Sequence, residues 1–208
     1  MTVVSGKSGV GRTSTTINLA AALVRSGKDV LVLDENQTPN NLLDQLGMSA
    51  RYDLLDAVSG RCEPQQALLP KHGFCVLPTA RAIASLARLD HVERKCMENS
   101  LTELSSGMDV ILVDAAMHIQ QAAIASRMPS SAALLVVADA TTSGITESYA
   151  LIKRLAQMNA CLNFEIVLNK ISNETEAAIV FGNMAKVARR NLAVHMEYSG
   201  FIPYDDKL

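Results

Sequence analysis

The chain has 208 residues, enough for one α/β domain with a substantial buried core and too few for two large ones. Apolar residues make up 49% of it, yet no unbroken apolar run approaches ~18 residues and no signal-peptide pattern precedes the first strand, so a spanning helix is excluded and a cytoplasmic location expected. A net charge of −2 and the absence of tryptophan give no strong nucleic-acid signal, and the four scattered cysteines (Cys62, Cys75, Cys96, Cys161) exclude a disulfide framework or a paired-cysteine zinc site.

In chain order, a short apolar strand (Thr2–Val4) runs into Gly6-Lys7-Ser8-Gly9-Val10-Gly11-Arg12-Thr13-Ser14 and then into a helical stretch, Ser14–Ser26, closed by Gly27. Strand, glycine-rich loop and helix form the setting of a phosphate-binding loop. Glycines let the backbone turn and aim its N–H groups inward, and the helix N-terminus adds partial positive charge. Thr13 stands where such loops place a magnesium-ligating hydroxyl. An ordinary turn that binds nothing is the alternative.

Further strands are predicted at Asp29–Leu33, Gly73–Leu77, Asp109–Val113, Ala132–Ala138, Phe164–Asn169 and Tyr198–Ile202. The central ones are rich in Val, Ile and Leu without alternation, as in parallel strands buried on both faces. Helices are predicted at Asn41–Leu46, Leu54–Ser59, Ala82–Leu104, Ile119–Ser126, Gly144–Met158 and Glu174–Asn191, with Ala177, Val180, Met184 and Val187 as the core stripe of the last. Lys186, Arg189 and Arg190 near its end read as a solvated patch complementing the helix C-terminus. The alternation predicts a single doubly wound, mostly parallel α/β domain over residues 1–208, with its ligand site at the strand C-termini.

Three strand ends carry chemistry. Asp34 ends one strand, with Asn36 two residues on; an amide can hydrogen-bond a water but cannot take its proton, and a plain turn role for Asn36 is equally open. Asp114 ends DVILVD, where a buried carboxylate needs a cation or donor; His118 follows nearby, as a general base or a merely tolerated side chain. Asn169 ends FEIVLN, as a base-reading amide or a turn former.

A lysine directly after the first glycine, followed by S-G-V-G-R-T, resembles the deviant Walker A loop of the MinD/ParA ATPases. The resemblance implies ATP or ADP with Mg²⁺ and a phosphate cradle of Gly6, Lys7, Ser8, Gly9, Val10, Gly11, Arg12, Thr13 and Ser14. It also implies magnesium held through Thr13, Asp34 and Asp114, and adenine contacts at Asn169, Pro203 and Tyr204. Lys7, which has no evident task inside its own subunit, would reach the partner's nucleotide in an ATP-bound homodimer, so Lys7 and Asn36 stand as the catalytic positions. Arg12 replaces the usual loop lysine, Asn36 the water-positioning aspartate, and Ala115 and His118 depart from the usual threonine and glycine; weak or lost hydrolysis is expected.

The runs Ile145–Lys153, Val76–Ala80 and Ile202–Asp205 resemble the FlhG/FleN flagellar-number regulators, which implies flagellar regulatory or assembly proteins as partners. Relatives of that kind carry a segment before the first strand and an amphipathic membrane-binding helix after the last; neither stands within these 208 residues, either because the chain is a piece of a longer one or because it works without them, and peripheral membrane association is expected only through such a segment. A degenerate interaction module that no longer hydrolyses ATP and a fully active positioning or partitioning ATPase are the alternatives. A tyrosine kinase of the same fold would need a tyrosine-rich C-terminal cluster, and an iron–sulfur carrier would need paired cysteines.

Overall fold

The computed structural model describes residues 1–116, 134–158, 163–192 and 194–205. The predicted helix Ile119–Ser126, His118 and Cys161 lie outside the described residues. The chain divides into two compact units, one of residues 1–12 and 117–208, the other of residues 13–116.

In the second unit, β2 (Val30–Asp34) lies between β4 (Phe74–Pro78) and β5 (Val110–Asp114), parallel to both. Its residues alternate between two cores. Val30 and Val32 join Phe74, Val76 and Leu112 against Ala20 of α1 (Arg12–Arg25) and Leu42 of α2 (Leu42–Gln45). Leu31 and Leu77 face the opposite way, onto α3 (Leu54–Val58), a 3₁₀ turn at Pro64–Ala67, α4 (Ala80–Ser85) and α5 (His91–Ser105). Both sheet faces are therefore covered, which is why the strand sequences show no alternation of polar and apolar residues. Helix α1 closes as predicted: Gly27 takes φ +77°, its N–H donates to Val24 O and Lys28 N–H donates to Leu23 O, a Schellman cap.

Two features of this unit differ from the sequence expectation. The stretch predicted as one helix over Ala82–Leu104 is two, because Asp90 caps α5: its side chain accepts from Glu93 N, and the Glu93 side chain accepts from Asp90 N. That capping box is written in the sequence as Asp90-x-x-Glu93. An additional strand, β3 (Leu69–Lys71), pairs antiparallel with β4. It carries Pro70, which suits a strand with a neighbour on one side within this unit.

Arg81 bridges Asp53 and Asp56, the capping-box pair of α3, and Arg61 also pairs with Asp56. Burial pushes the Asp53 carboxyl upward, but the Arg81 hydrogen bond, the Asp56 and Leu55 N–H groups and the Arg81 charge together outweigh it and leave the group below its ordinary value. A depressed carboxylate contributes stability that is full above its unfolded pKa of about 3.9 and is lost as pH falls through the folded value. Arg81 is half exposed, so the effect is on the order of 1 kcal/mol after screening. In urea titrations, Arg81→Met should therefore unfold earlier than wild type at pH 7, with the gap closing below about pH 4. A gap independent of pH would contradict this account.

In the first unit, β1 (Thr2–Val4), β6 (Leu134–Asp139), β7 (Asn163–Ile171) and β8 (His195–Pro203) are parallel neighbours in that order. Helix α6 (Thr142–Met158) packs on β6, and α7 (Glu174–Leu192) on β7, β8 and α6. The core stripe of α7 runs through Ala177, Met184 and Ala188; Val187, expected in the stripe, is exposed. Spacing of 177, 184 and 188 follows the 3.6-residue turn more closely over eleven residues than 177, 180, 184 and 187. Phe181 meets Tyr198 of β8 with ring centroids 5.2 Å apart. Lys186, Arg189 and Arg190 are exposed on the last turns, as expected of a solvated patch.

Candidate functional site

The loop from Gly6 to Arg12 leaves β1 and is held on two sides within the first unit. A Cβ at Gly6 would collide with the backbone of Glu147 and Ser148 in α6, so only glycine lets the loop lie against that helix. Gly9 and Gly11 take φ +75° and +89°, a left-handed conformation that glycine adopts without strain. A Cβ at Gly11 would also strike the Asn169 amide.

That amide ties the loop to the end of β7. Asn169 Nδ2 donates to Val10 O at 2.8 Å, and Asn169 Oδ1 accepts from Lys170 N at 2.8 Å. Each end of the amide uses one of its two hydrogen-bonding sites, so a second partner at each end is compatible with this anchor. Lys170 Nζ donates to Gly9 O at 2.8 Å. Pro203 ends β8 opposite Ile171, and Tyr204 donates its backbone N–H to Ile171 O with its ring exposed.

Lys7 departs from expectation. It has partners in its own chain: Ser143 Oγ at 2.8 Å, Thr141 Oγ1 at 3.4 Å and Asp139 Oδ2 at 3.9 Å. Asp139 ends β6, its carboxylate accepts from Thr141 N at 3.1 Å, and a Cβ at Gly144 would strike it. The run Asp139-Ala140-Thr141-Thr142-Ser143-Gly144 thus builds a polar seat for the loop lysine at the start of α6. An acid closing an apolar run is the signal that singles out Asp34 and Asp114, and the same signal marks Asp139 at the end of the fully buried β6.

Arg12, the first residue of α1, is only 8% exposed. In the second unit, Thr13 Oγ1 donates to Asp114 Oδ2 at 2.8 Å, and Asp114 is 0% exposed. Asp34 and Asp114 are register partners on β2 and β5, which places two buried carboxylates side by side at the ends of parallel strands. Asp34 Oδ1 accepts from Asn36 N at 3.0 Å, and its backbone carbonyl is held by Thr79 N (2.8 Å) and Thr79 Oγ1 (3.0 Å). Thr79 is a further positioning residue that the sequence reading passed over.

Asn36 Oδ1 accepts from Thr38 N at 3.1 Å and Thr38 Oγ1 at 2.7 Å. These are the hydrogen bonds of an Asx turn. Ser14 Oγ donates to Gln45 Oε1 at 3.1 Å. Ser8 is exposed, while Val10 is buried.

No group of three His, Cys, Asp or Glu side chains able to hold a metal occurs among the described residues. Magnesium does not need one, since it keeps several waters and takes one or two carboxylates together with substrate phosphates. A hydroxyl already hydrogen-bonded to a buried carboxylate fits that donor set. No helix among the described residues is long and apolar enough to cross a membrane.

A loop after β1 with left-handed Gly9 and Gly11, leading straight into a helix, and parallel strands closed by buried acids are the features of a P-loop nucleotide-binding fold. The family model for the CobQ/CobB/MinD/ParA nucleotide-binding domain matches residues 1–208, and the chain belongs to that family. It is 33% identical over 207 residues to the antiactivator FleN of Pseudomonas aeruginosa, covering 99% of this chain and 74% of that protein. It is 27% identical over 204 residues to the flagellum site-determining protein YlxH of Helicobacter pylori, covering 96% and 68%. Its fold matches the MinD cell division protein of Aquifex aeolicus with a TM-score of 0.70 and 29% identity, over 100% of this chain and 83% of that one. The doubly wound, mostly parallel fold and the MinD-like membership expected from the sequence are both borne out.

Proposed function

We propose that this chain is a single MinD-like domain that binds ATP with magnesium, dimerises in that state, and regulates flagellar number or placement from the cytoplasm. The observation that carries the proposal is the buried Thr13–Asp114 pair directly after the glycine loop. Phosphates would rest on the backbone N–H groups of Gly6–Ser14, with Lys7 and Arg12 supplying charge. Thr13, Asp34 and Asp114 would hold Mg²⁺, which when bound neutralises phosphate charge. Asn169, Pro203 and Tyr204 would border the adenine. FleN and YlxH, as relatives covering nearly the whole chain, support the flagellar reading, and partners would be flagellar regulatory or assembly proteins.

A second reading is favoured by Asn36, whose side-chain carbonyl is committed to the Thr38 turn. In that reading the chain keeps the fold as a protein-interaction module and no longer hydrolyses ATP.

In the dimer, Lys7 would exchange its seat on Asp139, Thr141 and Ser143 for the partner's nucleotide. Lys7→Ala should therefore weaken analogue-induced dimerisation more than it weakens nucleotide binding by the monomer. Sedimentation velocity with a non-hydrolysable ATP analogue and magnesium reads this out. A wild type that stays monomeric when saturated would remove the dimer from the proposal.

A further inference from the structure

The two side chains at the end of β7 face a geometric problem. Successive residues of a regular strand point to opposite faces of the sheet. Yet Asn169 and Lys170 both address the same loop, donating to the carbonyls of Val10 and Gly9. The backbone resolves this at Lys170, which takes φ +60°, and the register with β8 slips between Asn169 and Ile171. A left-handed conformation is strained for lysine and free for glycine. In that conformation the Lys170 side chain is held on Gly9 O.

The contact has a direct consequence for the loop. In a trans peptide the C=O of one residue and the N–H of the next point in opposite directions, and no cis bond is present among the described residues. Fixing Gly9 O on Lys170 therefore aims the N–H of Val10 away from β7. Fixing Val10 O on Asn169 does the same for the N–H of Gly11. Two consecutive amides are thus set pointing away from β7, with Gly9 and Gly11 in the left-handed conformation that anion-binding nests use.

We infer that Lys170, together with Asn169, is a positioning residue for phosphate binding, acting through the carbonyls of the loop. This rests on the nucleotide-binding reading above. Lys170 touches no phosphate in this role; its ammonium sets the direction of donors that do. The charge-assisted bond to Gly9 O is the stronger anchor of the two.

Three variants of the full chain test this, read by ADP titration with magnesium, by amide resonances of Val10 and Gly11 in the nucleotide-free protein, and by urea unfolding. Lys170→Met should lower ADP affinity about tenfold or more, as expected when donors lose their set direction, and should shift or broaden both resonances. Lys170→Gly should do the same while unfolding at equal or higher urea, because the left-handed strain is relieved. A residue that merely stabilised the fold could not separate binding from stability in that direction. Lys170→Arg, which keeps a charged donor, should restore most of the affinity. Wild type that binds no ADP would sink the nucleotide reading. Wild-type binding that Lys170→Met and Lys170→Gly leave intact, or resonances that neither moves, would overturn the inference alone.

Discussion

Replacing Asn36 with Asp and Arg12 with Lys together should raise ATP turnover above wild type, by up to ~10²–10⁴-fold, the range in which proton acceptance and firm water placement act. Asn36 now spends its side-chain carbonyl on Thr38 N and Thr38 Oγ1. Aspartate can accept the same two bonds with one oxygen and offer the other, as a carboxylate, to a water. The substitution is therefore conservative for the turn and new for the chemistry. Arg12 is a separate matter. Its guanidinium is a wide planar fork, and lysine is a compact point charge that can follow the charge developing on a transferring phosphate. Either single change should raise turnover less than both. Phosphate release at saturating Mg-ATP checks this, with dimer formation followed in parallel. A double variant no faster than wild type would show that the rate is set elsewhere.

Gly6→Ala should abolish nucleotide binding and destabilise the chain. The methyl would meet the backbone of Glu147 and Ser148, which belongs to the 17-residue helix α6 and has no rotamer to yield. Overpacking a core usually costs roughly 1–3 kcal/mol, and a backbone obstacle puts this site at the upper end or beyond. The alternative to unfolding is for the loop to retreat from α6. That would also pull Lys7 from Ser143 and Asp139, so nucleotide affinity falls on either course. Urea unfolding and an ADP titration read the two effects separately. In urea unfolding alone, Gly9→Ala isolates the steric cost, since nothing lies within 4 Å of its added methyl and only the φ of +75° opposes it.

Much of this was legible in the sequence because it is local. The order strand, glycines, hydroxyl, helix is a contiguous pattern, and its geometry follows from backbone chemistry alone. Asp34 and Asp114 were legible as acids closing apolar runs, and the register of β2 with β5 sets them side by side. The break between α4 and α5 was also local, written in the Asp90–Glu93 capping box, but the continuous helical periodicity across it masked the signal. Long-range contacts were the part that spacing could not supply. The partners of Lys7 lie more than 130 residues away, and those of the loop carbonyls about 160 away. Both depend on how β1, β6 and β7 align. A positive φ at Lys170 is likewise invisible in a residue type that rarely adopts it.

The most direct test of the central claim is isothermal titration of the folded chain with ATP, with and without magnesium. One nucleotide should bind per chain, more tightly with the metal than without it, and Asp114→Ala should erase most of the metal's contribution. No binding at millimolar nucleotide, in protein whose fold is verified by circular dichroism, would contradict the account and leave the glycine loop as a structural turn.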